Sequence, residues 1–277
     1  MKIFELGQGT PLVFIPGLQG RWEYTRVTVD ALAKCFRVIT FSLADEPDAQ
    51  APFDAESGFD NYSEHVRNVL DSVGIDRAIV CGVSFGGLVA LRFAAHFPHR
   101  VLALVLASTP GPGWHLKQRH DMYARWPLVF GPMFVVEAPL RARDELRAAL
   151  PDASDRRAFS RYILRTLWSA PISLSRMAIR ARRIALFDGQ ADAARVVAPT
   201  LVITGEPGLD HVVDVDGSSR YAQLIAGAKY VVLPRTGHQG TLTRPDLFAE
   251  EVRGFAQTIG QLGSTSRASA PTTGWVA

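Results

Sequence analysis

Cysteine is nearly absent: the 277 residues contain two, Cys35 and Cys81. Two thiols cannot supply a disulfide framework, so a reducing, cytoplasmic compartment is the expectation. Long apolar runs are missing as well. The longest strongly apolar stretch, Val101 to Ala107, has the length of a buried strand and is far too short to span a bilayer, so no stable membrane insertion is expected. The opening Met1-Lys2-Ile3-Phe4-Glu5 contains neither an apolar signal core nor a small-residue cleavage site. There is no internal repeat, and no basic run with interleaved aromatics that would suit a nucleic-acid partner. Seven histidines are present, and His96 and His99 stand three apart, but no further ligand cluster accompanies them and no metal site is expected.

What is present is apolar and mildly basic. A hydrophobic content of 47% suits one large core with a sizeable insertion. The net charge of +3 is unevenly placed: between Gly111 and Arg195, 15 Lys and Arg face 8 Asp and Glu. That surplus reads as a solvated helix face, because Phe159, Ile163 and Leu167 form an apolar stripe with Arg157, Arg161 and Arg165 roughly opposite. The acidic Asp45, Glu46 and Asp48 also read as solvated.

Six short apolar runs predict strands: Leu12–Ile15, Arg37–Phe41, Ala78–Val83, Val101–Ala107, Thr200–Thr204 and Tyr230–Leu233. Their continuous rather than alternating apolar character predicts a parallel sheet covered on both faces. Helical spacing relates Tyr62, Val66, Val69, Leu70 and Val73, with Asn61 as candidate N-cap, and also Phe248, Val252, Phe255 and Ile259. Strand–helix alternation of this kind predicts an open α/β sheet. The rhythm breaks over 111–195, which reads as a helical insertion. The expected division is a core of 1–110 and 196–262, a cap of 111–195 over the site, and an unstructured tail, 263–277. Trp114, Trp126, Phe130, Met133, Phe134 and Trp168 read as the insertion's own apolar core.

The chemistry starts at Gly82-Val83-Ser84-Phe85-Gly86-Gly87, between an apolar strand and an apolar helix. A serine on such a turn has its hydroxyl lifted clear of the sheet, over a helix N-terminus that favours developing negative charge. Here the chain resembles the α/β-hydrolase family, from about Pro11 to Ile259. The resemblance implies a mostly parallel sheet flanked by helices, a helical cap after the sixth strand, a Ser–acid–His triad in that chain order, and no cofactor. It assigns Ser84 as nucleophile and His238 as base. His238 lies after the last predicted strand, in Gly237-His238-Gln239-Gly240, and imidazole suits proton transfer at neutral pH. The acid should lie in the loop after Thr200–Thr204. Asp210 is favoured because Val212-Val213 follows it, and Glu206 and Asp214 remain rivals. Backbone amides of Phe85 and Leu18 are the implied oxyanion donors, Leu18 in a loop that begins with Pro16 where relatives usually have histidine.

The implied activity is acyl transfer on a small-to-medium hydrophobic ester, by a monomer or homodimer acting on a small molecule. The alternatives are a carbon–carbon bond hydrolase of aromatic degradation and an amide or aminopeptidase-type hydrolase. Outside enzymes stand a ligand-binding homologue that has lost catalysis and a basic membrane-surface protein.

Overall fold

The computed structural model describes residues 2–260 and 274–276. Eight strands form one sheet: β1 (Ile3–Leu6), β2 (Pro11–Ile15), β3 (Arg37–Phe41), β4 (Ala78–Val83), β5 (Val101–Ala107), β6 (Thr200–Thr204), β7 (Lys229–Val232) and β8 (Gly274–Val276). Their order is β7-β6-β5-β4-β2-β3-β1-β8. From β7 to β3 neighbouring strands pair in parallel; β1 pairs antiparallel with β3 and with β8. The six strands expected from apolar runs are all present, displaced by at most one residue at an end. β1 escaped that reading because it is four residues long and carries Glu5, whose carboxylate pairs with Arg37 on β3 at 2.6 Å.

Alternation within each strand fills the space on both sides of the sheet. Val13 and Ile15 of β2, Val80 of β4, and Leu104 and Leu106 of β5 join one buried cluster. Leu12, Phe14, Ile79, Cys81 and Val105 join the other. Over the first face lie α2 (Asp60–Ser72), through Val66, Val69 and Leu70, and α3 (Phe85–His96), through Leu88 and Val89. Over the second lie α1 (Arg26–Leu32), through Val29 and Leu32, and α12 (Pro245–Thr258), through Phe248 and Val252. Asn61 is not the N-cap of α2, which begins one residue earlier; its side chain instead accepts from the Asp54 amide at 2.8 Å.

Between β5 and β6 the chain forms α4 (Gln118–Arg125), α5 (Pro127–Arg141), α6 (Arg143–Ala149), α7 (Ala153–Ser169), α8 (Leu174–Ile184) and α9 (Gly189–Ala193). In this chain's own order the insertion follows the fifth strand, not the sixth. After β6 come α10 (Val215–Leu224) and, beyond β7, α11 (Gly240–Thr243). Much of the presumed cap core is on the surface: Trp126 is 63% and Trp168 92% exposed, and Met133 is exposed too. Arg157, Arg161 and Arg165 face solvent, as their spacing predicts. Of the proposed tail, 263–273 and 277 lie outside the described residues, whereas Gly274–Val276 departs from the expectation and pairs with β1.

The cap is tied to the core by long-range polar contacts. Tyr24 donates to the Ala170 carbonyl at 2.9 Å, Tyr162 to the Glu23 carbonyl at 2.8 Å, and Arg183 to the Tyr62 hydroxyl at 2.9 Å. The deepest tie is Arg180 of α8. Fully buried, it forks onto Asp45 at 2.7–3.1 Å, pairs with Glu46, and donates to the Leu18 carbonyl at 2.9 Å. Asp45 and Glu46 are therefore not the solvated acids their sequence suggested: burying an arginine requires partners of opposite charge, and these two supply them. Asp48 is also largely covered, within 3.4 Å of Arg21.

Candidate active site

Five segments meet at the carboxyl ends of the parallel strands, where open α/β sheets bind ligands: the turn after β4, the loops after β2, β6 and β7, and the cap, which departs after β5. Ser84 sits in the first, at φ +55° and ψ −120°. A non-glycine residue with positive φ is held there against a cost of about 1–3 kcal/mol. Its backbone is fixed by its own amide donating to the Ala107 carbonyl at 2.8 Å and by the Gly87 amide donating to its carbonyl at 2.9 Å. The flanking glycines are required by close approach. A Cβ on Gly82 would stand 2.1 Å from the Gly86 carbonyl oxygen, and one on Gly86 would stand 2.3 Å from that of Ile15.

The structure brings Ser84, His238 and Asp210 into one hydrogen-bonded line. His238 Nε2 lies 3.1 Å from Ser84 Oγ, and its Nδ1 lies 3.3 Å from Asp210 Oδ2. The other carboxylate oxygen, Oδ1, accepts from the amides of Val212 and Val213, each at 2.9 Å. The apolar pair after Asp210 thus turns the chain so that its own amides orient the carboxylate. The acid and histidine loops are pressed together: a Cβ on Gly237 would stand 2.2 Å from the Leu209 carbonyl oxygen. Glu206 and Asp214 do other work. Glu206 accepts from the Arg235 amide at 2.8 Å, and Asp214 caps α10 through the Gly217 amide at 3.0 Å.

Electrostatics match this geometry. Burial works to raise the Asp210 carboxyl, but His238 and the two amides outweigh it and hold it below the usual aspartate value. Burial works to lower His238, yet Asp210, with help from Glu145, leaves it above the usual histidine value. The loop after β2 runs beside the serine, so that a Cβ on Gly17 would stand 3.5 Å from Ser84 Cβ. Leu18 follows in this loop, its carbonyl held by Arg180. Phe85 opens α3, where an amide has no intrahelical acceptor. Both implied oxyanion donors are therefore on segments that adjoin Ser84.

Of the remaining histidines, His211 is exposed beside the acid. His65 is buried and lowered to about 4, chiefly by burial, with Nε2 at 3.2 Å from the Ser42 carbonyl. Among the described residues no group of three or more His, Cys, Asp or Glu could hold a metal ion, and no helix is long and apolar enough to cross a membrane. A cleft of about 860 Å³ lies on the cap beside Tyr123, Trp126, Phe130 and Met133, and none of its lining residues belongs to the Ser84 site.

A family model for the alpha/beta hydrolase fold matches residues 10–133, from the strand before the Leu18 loop through the serine turn into the cap. The chain has the α/β-hydrolase fold. It is similar over 93% of its length to the 2-hydroxy-6-oxo-2,4-heptadienoate hydrolase of Pseudomonas putida, at 28% identity and 90% coverage of that protein. The 2-hydroxymuconate semialdehyde hydrolase of a Pseudomonas species is 29% identical over 92% of this chain and 89% of its own. Among solved structures, the meta-cleavage product hydrolase of Pseudomonas fluorescens superposes with a TM-score of 0.67 and 23% identity, covering 92% of this chain and 93% of its own.

Two residues at this site escaped the sequence reading, Arg180 and Glu145. Both left a signal. On α8 the buried positions Met177, Arg180, Ala181 and Ile184 follow i, i+3, i+4, i+7, so an arginine occupies the core register of an amphipathic helix. On α6 the buried positions are Glu145 and Ala149, with Ala142 preceding the helix on the same face.

Proposed function

We propose that this chain is a serine hydrolase of carbon–carbon bonds, acting on a dienoate that carries a ketone vinylogous to an enol. The 3.1 Å and 3.3 Å contacts linking Ser84, His238 and Asp210 carry the serine reading. The substrate class rests on likeness over nearly the full length to hydrolases named for 2-hydroxy-6-oxo-2,4-heptadienoate and 2-hydroxymuconate semialdehyde. Here the ester expected from sequence gives way to the carbon–carbon alternative, which the names of these two relatives support better.

In this reading His238 removes the Ser84 proton as Oγ attacks the ketone carbon, and the oxyanion rests on the amides of Leu18 and Phe85, each worth roughly 3 kcal/mol to the barrier. Cleavage needs the keto tautomer of the substrate, in which the 2-hydroxyl proton has moved to C5. Collapse then breaks the C5–C6 bond, its electron pair passes through the C3=C4 enone onto the C2 oxygen, and imidazolium protonates the resulting dienolate. Water, deprotonated by His238, then releases the acyl group as a carboxylic acid. Esters pass through the same tetrahedral species with an alkoxide as leaving group, so activity on both is chemically consistent.

The test is to follow the visible absorbance of 2-hydroxy-6-oxo-2,4-heptadienoate alongside p-nitrophenyl acetate and butyrate, with Ser84→Ala as control. Dienoate turnover well above ester turnover, abolished in the variant, is the expected result. Turnover confined to the esters would return the assignment to carboxylesterase, and turnover unaffected by Ser84→Ala would end the serine reading.

A further inference from the structure

Glu145 comes from the cap, yet its contacts are with the loop that carries His238. Its carboxylate accepts from the Gln239 amide at 2.8 Å, and the Gly237 amide also favours its charged form. These are the residues directly after and directly before His238. The side chain is 3% exposed. A carboxylate taken out of water without hydrogen bonds costs several kcal/mol, so a glutamate in the core register of a helix stays only where donors meet it. Here the donor is the Gln239 amide of the loop after β7. Asp210 fixes the imidazole ring from one side; nothing in that contact fixes the peptide from which the ring hangs.

We propose that Glu145 is a cap-borne positioning residue for His238, holding the backbone amide directly after it so that the base is correctly placed only when the cap is seated. The inference rests on His238 being the base for Ser84. Its electrostatic consequence follows from the same placement. Burial pushes Glu145 up to about 7, against the Gly237 amide, His238 and the Gln239 amide, with Asp210 adding to the rise. When ionised, it adds a second negative charge near the imidazole and helps hold His238 above its usual value.

The charged surroundings are few. His238 and Asp210 are the ionisable groups that act on Glu145 most strongly. The packed helix α11, Gly240-Thr241-Leu242-Thr243, has none. On α6 itself Arg143, Asp144 and Arg147 face solvent, and on α5 Arg141 and Glu137 pair with each other at 3.3 Å.

Three variants separate positioning from packing: Glu145→Gln, which keeps shape and an acceptor; Glu145→Ala, which removes both; and Ser84→Ala as host for spectroscopy. The His238 imidazole is titrated by NMR in Ser84→Ala with and without Glu145→Gln, which needs no substrate. The pH profile of kcat/KM is taken on p-nitrophenyl butyrate and on the dienoate. The expected result is that Glu145→Gln lowers the His238 titration midpoint and moves the acidic limb of kcat/KM to lower pH, because the neutral imidazole is the active form. Glu145→Ala should in addition lower kcat by about tenfold or more with KM little changed, as misplaced groups do. An unchanged imidazole titration and an unchanged limb in Glu145→Gln would overturn the proposal. Activity that survives Ser84→Ala would instead overturn the serine reading, and the NMR result would still decide Glu145's effect on the imidazole.

Discussion

At the scale of single residues, the site turns on which carboxylate faces His238 Nδ1, and three candidates lie within nine residues of one another in the loop after β6. Only Asp210 is aligned, at 3.3 Å, and it is held by two amides that the other acids lack. If Ser84, His238 and Asp210 act as proposed, Asp210→Asn keeps the shape but presents an amide that favours the wrong imidazole tautomer, and turnover should fall by about ten-thousandfold. Glu206→Gln keeps an acceptor for the Arg235 amide and Asp214→Asn keeps a cap on α10, so both should stay within a few-fold of the parent. Steady-state kinetics on one substrate decides this, and a comparable loss in either control would remove Asp210 from its role. The three aligned residues were legible in the sequence for a physical reason. Each sits just beyond an apolar strand, and the serine and histidine turns need glycines so closely packed that a side chain there would collide with backbone.

At the scale of elements, the cap is fastened by a buried cluster of charge, with Arg180 of α8 against Asp45 and Glu46 of the loop after β3. Arg176, one turn earlier on α8, reaches the second Glu46 oxygen at 3.2 Å. Breaking such a cluster by removing one member is costly, because the others stay buried without compensation. Arg180→Met should destabilise the protein by about 3–5 kcal/mol in urea unfolding. It should also lower kcat/KM, because the Leu18 carbonyl loses its donor beside the implied oxyanion site. Adding Asp45→Asn and Glu46→Gln should recover much of the stability by removing the stranded charges. Equal unfolding midpoints for parent and Arg180→Met would show that the cluster does not fasten the cap. This joint was hidden in the sequence although each partner was visible. The partners are 134 and 135 residues apart, and neither charge pattern nor spacing says that an acidic loop will be roofed by a helix from the insertion. Helix periodicity located α2 and α12 because burial there is apolar. On α6 and α8 the same periodicity puts Glu145 and Arg180 on buried faces, which becomes informative once charged residues are allowed in the core register.

At the scale of the whole molecule, a tightly packed sheet carries a loosely packed roof, and the two should open with different free energies. β2, β4 and β5 are the middle of the sheet, and Leu12, Val13, Val80, Cys81, Leu104 and Val105 have no measurable exposure. Their amides lie in parallel ladders roofed by both hydrophobic clusters, so they can exchange with solvent only when the whole fold opens. α5 is the opposite case. Pro132 and Pro139 each remove a backbone donor within it, and Leu128, Val129, Val136 and Leu140 leave most of their apolar surface in water. Between these extremes lie α6, α7 and α8, held to the core by Glu145, Tyr162 and Arg180. Native-state hydrogen exchange should therefore resolve three tiers: α4 and α5 fastest, α6 to α8 intermediate, and the central strands slowest by orders of magnitude. In Glu145→Ala the middle tier should move toward the fast one around α6 while the strands keep their order. If α5 exchanged at the rate of β4, cap and sheet would form one cooperative unit, and seating of the cap could not govern the histidine loop separately from folding.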